Sequence, residues 1–148
     1  MSKAQVPLPR TPFIVIRVTS TLLALLGLAQ TTFAGSFLNG QYDMLKVHQV
    51  NAMVLGGVAL IQAITGVLVK ATGKGPGWPV WVSLVLVAAI AGQIRLGFTQ
   101  VLAAHVTLGV LVVAGIVLMA GWAWRTPVPP KAAPPAPVVT DDPVGAAS

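Results

Sequence analysis

Four apolar stretches alternate with short polar segments along the chain, at roughly 13–34, 47–69, 78–94 and 101–124. A helix needs ~20 consecutive apolar residues to cross a bilayer core, and none of the four runs contains Asp or Glu. The pattern predicts an all-α fold: an integral membrane four-helix up-and-down bundle built from two tandem helical hairpins. Domain organisation follows, with a cytoplasmic arm at 1–12, the membrane bundle at 13–125 and a tail at 126–148.

The segments between the runs read as connections. Residues 35–46 are polar around Asn39, Tyr42 and Asp43, and 70–77 form a loop by their Gly and Pro content. That loop lacks the G-x-x-x-x-G-K-[ST] spacing of a phosphate cradle. Arg17 lies near the start of the first run, where its long side chain reaches the interface. Trp78 and Trp81 open the third run, and Trp122 and Trp124 close the fourth, as an interfacial aromatic belt does. Pro7, Pro9 and Pro12 oppose regular structure in the arm. Pro127, Pro129, Pro130, Pro134, Pro135, Pro137 and Pro143 predict a disordered tail with polyproline II character. A cleaved signal peptide is the competing reading of the first run, with Thr32-Phe33-Ala34 as its small-residue site, but the run is long for one.

Composition strengthens the membrane reading: 55% of the 148 residues are hydrophobic, 8% are charged, and mean hydropathy is +0.85. The absence of cysteine excludes disulfides, thiolate-held zinc, iron–sulfur clusters and covalent haem attachment. A net charge of +6 does not point to nucleic acid, because the basic residues stand singly beside apolar runs and form no phosphate-tracking face. They report topology instead. Lys3, Arg10, Lys70, Lys74, Arg125 and Lys131 fall on one side and only Lys46 and Arg95 on the other. Both termini are expected in the cytoplasm, in a bacterial plasma membrane.

The chain has two histidines, and both occupy the same place in a repeated pattern. Aligning His48 on His105 sets a shift of 57 residues (105 minus 48), which also pairs Gly35 with Gly92, Gly40 with Gly97 and Leu45 with Leu102. Each histidine opens a span, the second and the fourth, and in an up-and-down bundle those two are parallel and diagonally opposite. With neighbouring helices ~8–10 Å apart, the diagonal suits two imidazoles converging on one metal at ~2 Å each. Ala52 and Gly109, one turn deeper, with Gly56 below Ala52, would make room for a flat macrocycle. Lys46 and Arg95 lie on the histidine side and are candidates for pairing with propionates. Gln41, Tyr42 and Thr99 are weaker candidates. Asn51, Gln62, Thr65 and Gln93 sit at membrane depth and need partners inside the bundle. Gly27, Gly66 and Gly115 read as close helix packing. No carboxylate chain crosses the bilayer, which argues against a proton-coupled transporter.

This four-span layout, with His48 and His105 in spans two and four and a repeat relating the halves, resembles one half of the haem A synthase family. More loosely it is similar to four-helix membrane b-type cytochromes. The resemblance implies that His48 and His105 are axial ligands of a non-covalent haem b. Haem A synthases also carry an acidic residue near the catalytic histidine. Here Asp43 is the only acid outside the tail, so methyl-group oxidation is not expected and no catalytic constellation is evident. The expectation is a small haem-binding, electron-transfer protein or a subunit of a membrane redox complex. The alternatives are a ligand-free accessory or assembly subunit of a larger complex and, more remotely, an antenna protein using each histidine singly.

Overall fold

The computed structural model describes residues 10–71, 76–128 and 130. Within them the chain forms four α-helices and no strand: α1 (Arg10–Leu38), α2 (Met44–Ala71), α3 (Trp78–Phe98) and α4 (Leu102–Arg125). All four are long and apolar enough to cross a membrane. At 1.5 Å of rise per residue, their 21 to 29 residues span about 32–44 Å. The protein is therefore read as an integral membrane protein. Residues 1–9 of the expected arm, and the expected tail beyond its first few residues, lie outside the described residues.

The helices run past the apolar stretches that predict them. α1 starts at Arg10, with Pro12 in the first turn, where a missing N–H costs no intrahelical bond. It continues through Gly35 and Ser36 to Leu38, and α3 continues to Phe98, so the first connection is 39–43 rather than 35–46. Polarity alone does not stop a helix whose N–H groups are already bonded. What stops α1 is a left-handed cap at Gly40 (φ 91°), where the Gly40 N–H donates to the Phe37 carbonyl and the Gln41 N–H to the Ser36 carbonyl. α3 ends in the same motif with Gln100 at φ 57°, its N–H on the Gly97 carbonyl and the Val101 N–H on the Leu96 carbonyl. Gln100, not Gly97, is thus the structural counterpart of Gly40.

α1 and α3 each pack between α2 and α4, and neither diagonal pair of backbones makes a close approach among the described residues. Leu23, Leu55, Ala59, Leu86, Ile90, Val112 and Ile116 fill the bundle centre. Phe13, Ile16, Val69 and Met119 form a second cluster beneath the tryptophan end. Glycines let the helices close. A Cβ on Gly66 would meet the Val80 backbone at 3.4 Å, and one on Gly115 would meet Leu86 at 3.2 Å.

Hydrocarbon supplies no hydrogen-bond partners, so the buried polar groups find them across helices. Gln62 of α2 is the central node. Its Oε1 lies 2.9 Å from the hydroxyls of Thr19 and Ser20 on α1, and its Nε2 donates to the Ser83 hydroxyl of α3 at 3.2 Å. Ser83 in turn donates to the Pro79 carbonyl at 2.8 Å. At the tryptophan end, Arg17 does more than reach the interface. Its Nε donates to the Ala123 carbonyl (3.0 Å) and its Nη2 to the Thr126 carbonyl (2.7 Å), so a cation closes the negative end of α4. The same guanidinium lies 4.7 Å from the Trp124 ring centroid, and Trp124 Nε1 donates to Thr21. Trp78 and Trp122 meet edge to face at 4.6 Å, and Lys70 lies over Trp81 at 4.3 Å.

Interhelical hydrogen bonds in membranes contribute roughly 0.6–1.7 kcal/mol each. Replacing Gln62 by Leu is expected to cost about 1–2 kcal/mol in reversible unfolding from detergent micelles, because Thr19 retains its own helix carbonyls while Ser83 loses a donor. The same measurement on Thr65→Ala, whose hydroxyl bonds only the Ile61 carbonyl of its own helix, should show little change.

Candidate functional site: a facing histidine pair

The end of the bundle opposite the tryptophans is built from the start of α2 and α4 and the last turns of α1 and α3. His48 projects from the second turn of α2 and His105 from the first turn of α4. Their rings come together across the diagonal with centroids 6.1 Å apart and planes 58° from parallel. Both are half-buried. Two imidazoles on opposite sides of one metal, with nitrogens ~2 Å from it and centroids about 1 Å further back, would stand ~6 Å apart. The pair has that separation.

Each ring is oriented by a backbone carbonyl of the preceding helix. His48 Nδ1 lies 3.2 Å from the Gln30 carbonyl on α1, and His105 Nδ1 lies 2.9 Å from the Gln93 carbonyl on α3. A carbonyl only accepts, so both Nδ1 atoms carry a proton and, in the neutral ring, both Nε2 atoms carry the lone pair. A metal-ligating histidine commonly has its other nitrogen fixed in this way.

The two Nε2 atoms then differ. The Gln30 side-chain Nε2 donates to His48 Nε2 at 3.0 Å and to the His48 carbonyl at 3.1 Å. Its Oε1 accepts from Asn51 Nδ2 at 2.6 Å, and Asn51 also donates to the Leu26 carbonyl at 3.0 Å. That chain fixes the amide orientations, since turning either amide over would set oxygen against oxygen or nitrogen against nitrogen. His105 Nε2 has no hydrogen-bond partner among the described residues, and neither does the buried Oε1 of Gln93.

Between the helices lies a mostly apolar cavity of about 210 Å³, lined by both histidines, Gln30, Gln93, Ala34, Ala52 and Gly97 among others. It opens where lining residues Leu38, Phe98 and Leu102 are exposed. Ala52 lines the cavity one turn beyond His48. Gly109 does not line the cavity. A Cβ there would come within 2.7 Å of Gln93 Nε2, so the room beside His105 is taken by the Gln93 side chain, and Gly56 packs against Ile90. Lys46 and Arg95 are exposed, and neither lines the cavity. Tyr42 is exposed with its ring edge-on to Phe37, and the Thr99 hydroxyl bonds the Arg95 carbonyl. Gln30 is the residue that sequence reasoning passes over. Its signal is an amide deep in the first apolar run, as telling as the one at Gln93.

Among the described residues no three His, Cys, Asp or Glu side chains come together as a metal cage. Two imidazoles alone suit a metal that brings its own equatorial ligands, as haem iron does. Separation, tautomer and apolar walls fit such a group. The cavity, open on one side, is smaller than the ~300–1,000 Å³ of ordinary ligand pockets. The chain matches no protein-family model, no curated protein and no solved structure.

Gly97 packs against the ring of His105, where an added methyl would stand 3.0 Å from Cε1 and 3.3 Å from Nδ1. Gly97→Ala should tilt that ring and weaken its bond to the Gln93 carbonyl, shifting the His105 imidazole 15N resonances and costing about 1 kcal/mol of stability. Gly57→Ala, where an added Cβ meets nothing within 4 Å, is the control and should leave both unchanged.

Proposed function

We propose that this bundle is a small membrane b-type haem protein, with His48 and His105 as the two axial ligands between α2 and α4. The observation that carries the reading is the 6.1 Å separation of two rings whose Nδ1 atoms are both held by backbone carbonyls. Haem bound there supplies one-electron redox chemistry. The protein's own contribution is to present two imidazoles held at Nδ1 and to surround them with apolar side chains such as Ala34, Ala52 and Met53. In this reading the chain passes electrons to or from a membrane redox partner and carries out no bond-making step. The second reading is a ligand-free accessory or assembly subunit of a larger complex. It is favoured by one observation: Gln30 already satisfies both ring nitrogens of His48.

An optical spectrum separates the two. The haem reading expects a Soret band with split α and β bands in the purified, reduced protein, and the loss of that low-spin spectrum in both His48→Ala and His105→Ala. A colourless, folded preparation from haem-replete cells overturns it.

The orientation belongs to the same proposal. Both termini lie in the cytoplasm and the histidine end faces outward, in keeping with Arg17, Lys70 and Arg125 at the tryptophan end and only Lys46 and Arg95 at the other. The chain has no cysteine, so single replacements report cleanly. A membrane-impermeant maleimide added to intact cells should label Asn39→Cys and leave Ala71→Cys unlabelled; the reverse pattern inverts the topology.

A further inference from the structure

The two hairpins carry related sites, and one of their differences bears on the histidines. Gln30 and Gln93 play equivalent parts, each offering its backbone carbonyl to the Nδ1 of the histidine on the next helix. In the first hairpin Asn51 holds the Gln30 Oε1, which turns the amide N–H groups onto His48. Moving 57 residues along from Asn51 reaches Leu108, which has no donor to offer. The Leu108 side chain packs beside Gly92, next to Gln93, and the Gln93 Oε1 is left buried without a partner. The result is one closed site and one open site facing the same cavity.

We infer that His105 is the open ligand of the pair and that Gln30, held by Asn51, is a latch on His48. Resting on the reading of the pair as a ligand site, this assigns an order of binding. His105 Nε2, with no hydrogen-bond partner among the described residues, would be the first of the two nitrogens available to hold a metal centre. His48 would become available to hold it once the Gln30 amide leaves His48 Nε2. Both rings are partly buried, and the hydrogen bond on Nε2 distinguishes them.

Diethyl pyrocarbonate, which acylates the imidazole nitrogen bearing the lone pair, tests this on the full chain in detergent micelles without any metal. Modification of each histidine is followed by peptide mass spectrometry. A hydrogen bond of ordinary net strength corresponds to about a five- to tenfold difference, so His105 should react faster than His48 by that factor. Gln30→Leu removes the latch and Asn51→Leu copies the second hairpin into the first. Each should bring His48 to within about twofold of His105, whose own rate in the same molecule checks that the bundle has folded. Equal rates in the unmodified sequence, a faster His48, or a ratio unmoved in both variants would overturn the assignment. Haemin added to parallel samples reports separately on the haem reading: failure of the Soret band to appear removes that reading and leaves the modification ratio to decide the latch.

Discussion

Hydrocarbon offers a buried amide, hydroxyl or imidazole no partner, and the arrangement of this bundle follows from where its few polar side chains find one another. Between helices in lipid there is little hydrophobic drive, so contact is set by close packing and interhelical hydrogen bonds. Three stations along the bundle supply those bonds. Arg17 closes the end of α4 at one face, Gln62 ties α1, α2 and α3 at mid-depth, and the Gln30–Asn51–His48 chain joins α1 to α2 near the other face. The buried apolar residues between these stations, from Phe13 and Ile16 to Leu23 and Ile116, pack the space that the polar contacts leave.

The same constraint gives the histidine end its character. A polar group that is satisfied inside the bundle is structural, and one left unsatisfied is a place where a ligand can supply what is missing. Both ring nitrogens of His48 have partners, whereas His105 Nε2 and Gln93 Oε1 have none among the described residues. Asn51 against Leu108 is one difference between the hairpins, and the offset of the glutamine from its histidine, 18 residues in the first and 12 in the second, is another. Two sites related by the repeat are therefore not equivalent, and the cavity between them presents one occupied nitrogen and one free one.

Much of the architecture was legible along the chain. Four apolar runs without acids became four helices, their order set the up-and-down arrangement, and the tryptophans marked one end. Helix ends were less legible, because backbone hydrogen bonding carries α1 through Gly35 and Ser36 until a left-handed residue caps it. The 57-residue shift matched α2 to α4 and failed for α1 and α3. Their caps correspond at a shift of 60 (100 minus 40, Gly40 with Gln100), and the carbonyls that accept from the histidines at 63 (93 minus 30, Gln30 with Gln93). The second connection is shorter and its histidine sits closer to the cap. Gly109 was expected to leave space and instead receives the Gln93 amide, an outcome that depends on a side chain from another helix.

By itself, then, the sequence determined helix formation, the alternation of direction, and a shared depth for His48 and His105. These follow from hydropathy and the 3.6-residue period, which act within a few residues. Tertiary structure alone decided which carbonyl each imidazole faces, that the rings stand 6.1 Å apart, and that Gln30 covers one nitrogen while the other stays open. Those outcomes depend on the relative rotation and axial offset of helices distant in sequence. A change of one turn in that offset exchanges one hydrogen-bond partner for another while leaving the hydrophobic pattern of every helix the same.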